Sequence, residues 1–244
     1  MRYAFLSDIH ANWPAFEAVL KSIGEHRVDQ TFCLGDVVGY AASPKTCLDA
    51  ARANCDHLVM GNHDAMAALD VNLHALREDV AAGLYLARDQ LTRADRGFMR
   101  RLPLVHHFDG FVVTHASLED PLSFEYIDSP AMAAAHLARQ EENLCFVGHT
   151  HVPRIYARQG KTKARNVPVR KQTFRPRRDR LYVVNVGSVG QPRDRHSSAC
   201  WVMFDSEEYV ITWHRVEYDI ERAASDILDA DLPEISAARL FLGR

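Results

Sequence analysis

The first 62 residues alternate between strand-like and helix-like segments, and this alternation constrains the fold more than any other feature of the sequence. The strand-like segments lie at 3–8, 31–36 and 57–62. Helices are predicted to begin near Pro14 and Pro44, because proline in the first helical turn loses no hydrogen bond. Strands that are joined by helices pair in parallel. The sequence therefore predicts a parallel sheet with helices packed against it.

The rest of the chain predicts a second set of strands and further helices. Residues 64–101 have a helical composition, and "TRAD" at 92–95 resembles a capping box. Further strand-like segments lie at 104–108, 111–115 and 144–149, with a helix from Pro130 to about Gln140. From Leu181 three strands joined by short turns predict antiparallel pairing, and a helical tail begins at Asp219. We expect an α/β sandwich with a parallel first sheet, a mixed or antiparallel second sheet and helices outside.

The composition limits the class of protein. With 244 residues and 47% hydrophobic content the chain can bury a substantial core, and we expect one domain over 1–244. A net charge of −3 argues against a general nucleic-acid or membrane-surface binder. The five cysteines include no CxxC pair, so neither a disulfide framework nor a thiolate zinc site is indicated. No signal-peptide pattern and no apolar run of about 18 residues occur, so we expect a cytoplasmic protein.

One segment, 158–180, is strongly basic. It carries ten Lys or Arg residues against the single acid Asp179, and Pro168 and Pro176 argue against a helix. The simplest interpretation is a solvated loop or loose hairpin. The alternative hypothesis is a positively charged lip beside the functional site, which would favour substrates with several phosphates.

Polar side chains stand at the carboxyl ends of five predicted strands. They are Asp8, His10, Asp36, Asn62, His63, Asp64, His115, His149 and His151. In open α/β sheets functional sites form at these strand ends. A single His or Asp there is ordinarily a cap or turn residue, but five such ends together indicate a site. In an extended segment residues i and i+2 share a side, so Asp8 with His10 and His149 with His151 are predicted ligand pairs.

This donor set consists of oxygen and nitrogen atoms, which suits Mn, Fe, Ni or Zn and gives no support to a thiolate-rich site. About seven candidate ligands are too many for one ion. Two ions that share a bridging carboxylate fit the number better, and Asp36 lies between the other candidates in sequence. The sequence therefore predicts a dinuclear site bridged by Asp36.

The same residues resemble a known family. The motifs are "DIH" at 8–10, "GDVVG" at 35–39, "GNHD" at 61–64, "VTHAS" with His115, and "GHTH" at 148–151. In this order they resemble the signature of the calcineurin-like metallophosphoesterase superfamily, and the resemblance spans residues 3 to about 217. "NVGSVGQPRD" at 185–194 resembles a further segment of its small bacterial members. The resemblance implies a four-layer αββα sandwich of two mixed β-sheets flanked by helices, with a dinuclear metal site.

The resemblance also implies roles for individual residues. One metal would be held by Asp8, His10 and His151, the other by Asn62, His115 and His149, with Asp36 as the bridge. The cofactors expected are two divalent ions, Mn first, with Fe, Ni or Zn as alternatives. Asp36 and His63 would be the catalytic residues, and His63 would contact phosphate or donate a proton to the leaving group. Asn62 would also contact the substrate.

Other polar residues have two possible roles each. Asn12 would contact substrate phosphate or cap the helix near Pro14, and Arg193 would contact phosphate or form a surface salt bridge. Asp64 would orient His63 or cap the following helix. Asn185 and Ser188 are candidates for hydrogen bonds that support the metal ligands.

The implied activity is hydrolysis of a phosphodiester, a phosphomonoester or a dinucleoside polyphosphate by hydroxide bridging two metals. The expected partner is a small phosphoester or nucleotide-like substrate, while nucleic acid and membranes are not expected and the oligomeric state stays open. A nuclease of the same superfamily is an alternative suggested by the basic segment, against which stands the negative net charge. The other alternative is a non-catalytic scaffold on this fold. It is disfavoured because a ligand residue is present at every ligand position. The sequence departs from the small members by lacking Pro after Asn185 and by the basic insert, which leaves the substrate open.

Overall fold

The computed structural model describes residues 1–69, 71–169 and 172–244 of the chain. The strands are β1 (Arg2–Leu6), β2 (Gln30–Cys33), β3 (His57–Leu58), β4 (Val105–Phe108), β5 (Phe111–Thr114), β6 (Leu144–Val147), β7 (Arg154–Arg158), β8 (Arg165–Val167), β9 (Thr173–Phe174), β10 (Leu181–Asn185), β11 (Ala199–Asp205) and β12 (Val210–Val216). The helices are α1 (Trp13–Gly24), α2 (Pro44–Asn54), α3 (Asn62–Ala68), α4 (Glu78–Gln90), α5 (Arg93–Met99), α6 (Pro130–Arg139), α7 (Ile220–Asp229) and α8 (Glu234–Leu242).

The strands form two sheets of six described strands each. The first has the order β3-β2-β1-β11-β12-β9 and the second has the order β4-β5-β6-β10-β7-β8. β1, β2 and β3 are parallel as predicted. The prediction that the first sheet is wholly parallel is wrong, because β11 pairs antiparallel with β1 and makes the sheet mixed.

The three C-terminal strands do not form an antiparallel sheet of their own. β10 enters the second sheet, where it is parallel to β6 and antiparallel to β7, whereas β11 and β12 complete the first sheet. The physical reason is burial: β11 is almost wholly buried along its length, so it needs cover on both faces and occupies a central position. Short turns predict neighbouring strands but not which sheet receives them.

The two sheets pack face to face through aromatic side chains. Phe5 of β1 stacks on Phe146 of β6 with ring centroids 3.9 Å apart, and Phe32 and Phe111 pack beside them. On the outer face of the first sheet, α1 buries Phe16 in a second apolar cluster. On the outer face of the second sheet α6 packs in a third. The predicted four-layer αββα sandwich is confirmed, whereas the single-domain organisation stays a prediction.

The region predicted as helical over 64–101 is divided into three helices. β3 has only two residues and α3 begins at Asn62, so the third strand is shorter than predicted. The Arg88 side chain donates hydrogen bonds to the carbonyl oxygens of Met66, Leu69 and Val71, which takes the backbone after α3 out of the helix. The capping box predicted at 92–95 is confirmed by reciprocal bonds between its first and last residues.

The C-terminal tail is helical as predicted and forms α7 and α8. The basic segment at 158–180 includes β8, which forms a hairpin with β7, and β9, which pairs with β12 in the other sheet. Among the helices that the structure describes, none has the length and apolar character required to cross a bilayer.

Candidate metal centre

Five of the seven candidate ligands lie in tight turns that follow the strands, not in the extended strand ends assumed from the sequence. Their backbone torsion φ is positive: 54° for Asp8, 49° for His10, 54° for Asp36, 65° for His149 and 59° for His151. Residues other than glycine rarely adopt this region, so surrounding contacts must hold it. Part of that support is backbone: the amide of His10 donates to the carbonyl oxygen of Asp36 at 2.9 Å.

The first group of side chains consists of Asp8, His10 and His151. The Nε2 atoms of His10 and His151 lie 3.1 Å apart, and His151 Nε2 lies 3.4 Å from Asp8 Oδ1. All three residues are buried. Their donor atoms converge closely enough to hold one ion.

The second group consists of Asn62, His115 and His149. His115 Nε2 lies 3.2 Å from both Asn62 Oδ1 and His149 Nδ1. Asp36 lies between the two groups, with Oδ2 at 3.7 Å from His10 Nε2 and at 3.4 Å from His115 Nε2. One carboxylate therefore faces both sets of candidate ligands.

The tautomers of the first group fit a cation. His10 Nδ1 lies 3.1 Å from the carbonyl oxygen of Val38, and His151 Nδ1 lies 2.6 Å from that of Gln191. Because a carbonyl only accepts, each Nδ1 carries the hydrogen and each Nε2 presents a lone pair. Burial lowers the pKa of both imidazoles well below the usual range, so both are neutral. Two acceptors 3.1 Å apart repel each other unless a cation lies between them, and the donor set suits a divalent metal.

The pKa values in the second group reflect the charge of Asp36. Burial opposes ionisation of Asp36, but His115, His63 and His10 hold its pKa well below the usual range. Burial would lower the pKa of His115, yet Asp36 raises it to about 9. Burial lowers the pKa of His149 to about 3 and raises that of Asp8 to about 7. The charge of the Asp36 carboxylate is therefore balanced by the imidazolium of His115, where a cation would otherwise supply positive charge.

Asp64 holds the turn that carries Asp36. Its carboxylate accepts hydrogen bonds from the amides of Asp36 (2.8 Å), Val37 (2.9 Å) and Val38 (3.3 Å), and from Gly61 (3.1 Å) at the start of α3. These contacts favour the capping role over orientation of His63, since all are to backbone amides. Asp64 thereby joins the ends of β2 and β3 beneath the second group.

Asn185 and Ser188 contact the ligand-bearing turns as predicted. Asn185 Nδ2 donates to the carbonyl oxygen of Gly148 and to Thr150 Oγ1, which flank His149. Ser188 Oγ donates to the carbonyl oxygen of Asp8 at 2.9 Å. The segment after β10 therefore supports turns from both sheets.

His63 lies beside His10 of the first group and beside Asp36. Its ring centroid is 4.7 Å from that of His10, and a nitrogen of His63 lies within 4.8 Å of donor atoms of His10 and Asp36. Its Nδ1 atom is buried and has no hydrogen-bond partner. Burial lowers the pKa of His63, so the free protein holds it neutral near pH 7. Its predicted roles toward substrate stay predictions.

Arg193 and Asn12 differ in how free their polar atoms are. Arg193 donates to Gln191 Oε1 (2.8 Å) and to the Tyr40 hydroxyl (3.3 Å), and none of the ion pairs between described residues involves it. The salt-bridge alternative for Arg193 is therefore wrong within the described chain. Asn12 caps α1 through the amide of Ala15, and its Nδ2 donates to Gly190. Its predicted phosphate contact stays a prediction, with both polar ends already engaged.

The described basic side chains of the segment 158–180 do not form a lip beside the metal centre. β7 runs away from the centre, and its last residue, Arg158, pairs with Leu181 at the start of β10. Arg178 lies over the ring of Tyr209 at 4.1 Å, in the turn between β11 and β12. That turn adjoins the start of β1, whereas the centre lies beyond its end. Two residues of the hypothesis, Arg170 and Lys171, lie outside the described residues.

Sequence reasoning missed aromatic residues around the centre. The ring of Tyr126 stacks on His149 with centroids 4.0 Å apart and an interplanar angle of 20°. Tyr40 packs beside both His10 and His63. Tyr40 follows "GDVVG" directly, which is a usable signal, whereas Tyr126 lies in a loop without any periodic pattern.

Comparison with known proteins agrees with this geometry. Residues 1–208 match the calcineurin-like phosphoesterase superfamily domain. The chain belongs to this family. Members of this family are metal-dependent phosphoesterases, and the chain is accordingly a metallophosphoesterase-family hydrolase with candidate metal-binding residues.

Three similar proteins cover nearly the whole chain. An uncharacterised protein of Methanocaldococcus jannaschii is 34% identical over 246 residues, which is 99% of this chain and 98% of that one. The crystal structure of a metallophosphoesterase from Sphaerobacter thermophilus is 33% identical with a TM-score of 0.87, and covers 100% of this chain and 99% of its own. A hypothetical protein from Pyrococcus horikoshii OT3 is 21% identical with a TM-score of 0.79, covers 100% and 98%, and shows the fold alone.

Proposed function

We propose that this chain is a dinuclear metal-dependent phosphoesterase that hydrolyses a small phosphodiester, phosphomonoester or dinucleoside polyphosphate. The observation that carries the proposal is the pair of facing imidazole acceptors, His10 and His151, together with a carboxylate, Asp36, that faces both ligand groups. Without cations this arrangement is energetically unfavourable, because it buries hydrogen-bond acceptors against one another.

The ligand assignment follows the two groups. Asp8, His10 and His151 would hold one ion, Asn62, His115 and His149 would hold the other, and Asp36 would be shared between them. Mn is the first choice of metal, with Fe, Ni or Zn as alternatives, since the donors are oxygen and nitrogen. Two such ions supply an activated water and neutralise charge on the phosphoryl group.

Two residues that are not metal ligands act on the substrate in this proposal. His63 donates a proton to the leaving alkoxide or hydrogen-bonds the phosphate. This role is supported by its Nδ1 atom, which is buried and has no hydrogen-bond partner within the protein. A bound phosphate would raise the pKa of His63 toward the protonated form that an acid needs. Arg193 attracts the phosphate anion in this proposal, which is supported by its having no carboxylate partner among the described ion pairs.

The two alternatives have less support. The nuclease alternative was suggested by the basic segment, whose described arginines lie toward the opposite end of the sheets. The non-catalytic alternative requires lost ligands, whereas all seven candidate positions carry ligand residues whose donor atoms converge. We therefore propose a small phosphoester as the substrate. The cytoplasmic location stays a prediction.

The test is metal analysis combined with a substrate panel. The purified chain, loaded with Mn, is assayed on bis(p-nitrophenyl) phosphate, p-nitrophenyl phosphate, cyclic nucleotides and diadenosine tetraphosphate, with and without a chelator. We expect two metal equivalents and hydrolysis that the chelator abolishes. Nicking of supercoiled plasmid in preference to every small substrate would support the nuclease. Absence of bound metal would contradict the proposal.

A further inference from the structure

A cleft of about 470 Å³ opens beside the second ligand group. Asn62 and His149 belong to both the cleft and the metal centre, so the two spaces are continuous. The imidazole of His149 presents Nδ1 to the centre, while its ring face lies against Tyr126. A molecule held at the metal centre can therefore extend directly into this cleft.

The walls of the cleft are apolar. Met66 and Leu69 form one side at the end of α3, and Leu122 and Phe124 form the other, from the loop that follows β5. Tyr126 is 49% exposed although one face of its ring stacks on His149, so part of the ring is open to a ligand. Exposed apolar surface in a cleft beside a polar site is typical of a ligand subsite.

One wall is held by hydrogen bonds from arginine side chains to backbone carbonyl oxygens. The Arg88 guanidinium donates to the carbonyl oxygens of Met66 and Leu69 at 2.7 Å each, and Arg100 donates to that of Ala68 at 2.7 Å. A charged side chain that donates hydrogen bonds to several carbonyl oxygens restricts the conformation of the backbone that carries them. The cleft is therefore preorganised on this side, which reduces the entropy lost on binding.

The charges on the two sides of the centre differ. None of the described residues that line the cleft is Asp, Glu, Lys or Arg. The guanidinium of Arg193 lies instead beside Tyr40, which packs on His10 in the other ligand group. A chain of phosphates would find no cation in the cleft, whereas an uncharged flat ring would find apolar walls and Tyr126.

We infer that the cleft binds an uncharged aromatic ring of the group that is esterified to the phosphate, either the aryl group of an aryl ester or the base of a nucleoside ester, and that Tyr126 is a specificity-determining residue. The inference rests on the proposed function, because the phosphate must lie at the metal centre for the ring to reach the cleft. Aliphatic phosphoesters would bind by their phosphate alone.

The test compares two phosphonates, which carry the same charged head and are not hydrolysed as esters. Benzylphosphonate and methylphosphonate are titrated calorimetrically into the Mn-loaded protein. We expect benzylphosphonate to bind roughly tenfold more tightly, a ratio that corresponds to about 1.4 kcal/mol and is in the range for stacking and burial of one ring. Tyr126→Ser should reduce the ratio to about twofold or less while leaving the affinity for methylphosphonate unchanged.

Two further variants complete the design. Leu122→Ser changes a side chain that is 72% exposed, so folding is preserved, and it should reduce the ratio in the same direction. Phe241→Ser is the matched control, because Phe241 is an exposed aromatic residue on α8 that does not line the cleft. It should keep the tenfold ratio.

The outcomes separate this inference from the proposed function. Equal binding of both phosphonates to a protein that hydrolyses bis(p-nitrophenyl) phosphate would overturn the inference and leave the proposed function standing. A Tyr126→Ser protein that loses both phosphonates equally would also overturn it, since the ring would then support the centre instead of the ligand. Failure of the unaltered chain to bind methylphosphonate and to hydrolyse any phosphoester would overturn both.

Discussion

The backbone amide of His149 donates a hydrogen bond to the Asp8 carboxylate at 3.1 Å, across 141 residues of sequence. Asp8 follows a strand of the first sheet, and His149 follows a strand of the second. The bond therefore joins the two sheets at the metal centre. It also holds the Asp8 carboxylate in position through the turn that carries His149. Gly148 makes this close approach possible, because a Cβ atom there would lie 1.9 Å from Ser7 Oγ and 2.7 Å from Asp8 Oδ2.

Replacement of Gly148 should therefore disturb metal binding more than folding. Gly148→Ala is expected to displace the Asp8 carboxylate and to weaken metal affinity by roughly 10–100-fold, the range for losing support to a ligand. Metal affinity is measured by competition with a chelating dye. Gly24→Ala is the control, since nothing lies within 4 Å of a Cβ atom there. Unchanged metal affinity in Gly148→Ala would contradict the proposed role of the turn.

Asp36 should be required for both metals. Its Oδ2 faces His10 and His115, and its Oδ1 accepts a hydrogen bond from the amide of His63 at 2.8 Å. Asp36→Ala is expected to lose both metal equivalents and essentially all turnover, as measured by elemental analysis and by an ester hydrolysis assay. Asp49→Ala, which changes an exposed carboxylate on α2, should retain both. Two metal equivalents retained by Asp36→Ala would show that the bridging assignment is wrong.

His63 should act on the substrate and not as a metal ligand. His63→Ala is expected to keep the metals and to lower kcat by ~10²–10⁴, the usual range for loss of a positioned acid. The loss should be smaller for nitrophenyl esters than for alkyl esters, because nitrophenolate leaves without a proton. Metal ligation by His63 is an alternative role, because a nitrogen of His63 lies close to donor atoms of His10 and Asp36. Elemental analysis of the variant decides whether His63 is a ligand. Equal losses for both kinds of ester would count against the acid role.

Residues at strand ends were predictable, whereas their conformation was not. Alternation of strands and helices places carboxyl ends at one edge of a sheet, and this brings Asp8, Asp36 and His149 together. Their positive φ angles depend on contacts with distant segments, such as the bonds from Ser188 and Gly190 to Asp8. Local patterns contain no information on such contacts.

Two other features depended on tertiary packing. The turn-linked pattern of β11 and β12 predicts a hairpin but not that β11 inserts beside β1 at the centre of the first sheet. Tyr126 lies in an irregular loop, and only the folded chain places its ring on His149. The motif-bearing half of the site was therefore predictable, and the apolar half was not.

Stability should depend on pH through His136, a residue that sequence reasoning did not select. It is fully buried in α6, its Nδ1 accepts a hydrogen bond from the amide of Leu118 at 3.1 Å, and burial lowers its pKa to about 3. The unfolded chain binds this proton near pH 6.5. The stabilisation from keeping His136 neutral is therefore fully present above pH 6.5. As the pH falls from 6.5 toward 3, the free energy of unfolding decreases by about 1.4 kcal/mol per pH unit.

The measurement is chemical denaturation at several pH values in the presence of a chelator. His136→Gln should be less stable at neutral pH and should show a shallower loss of unfolding free energy between pH 6.5 and 3. His74→Gln changes an exposed histidine and should keep the slope of the unaltered chain. A slope in His136→Gln equal to that of the unaltered chain would indicate that His136 is not the group responsible.

Neutralising three described arginines of the basic segment should leave substrate affinity unchanged. Arg175 donates to the carbonyl oxygen of Glu208, and Arg178 lies over Tyr209, both at the turn beside the start of β1. The length of β1 separates this turn from the centre by roughly 16 Å, which exceeds the Debye length of about 10 Å at 0.1 M salt. The triple variant Arg175→Gln, Arg177→Gln, Arg178→Gln is therefore expected to change KM for diadenosine tetraphosphate and for bis(p-nitrophenyl) phosphate by less than about twofold in 0.1 M salt. Arg193→Gln is the positive comparison and should raise both KM values. A rise confined to the polyphosphate in the triple variant would restore the hypothesis of a charged lip.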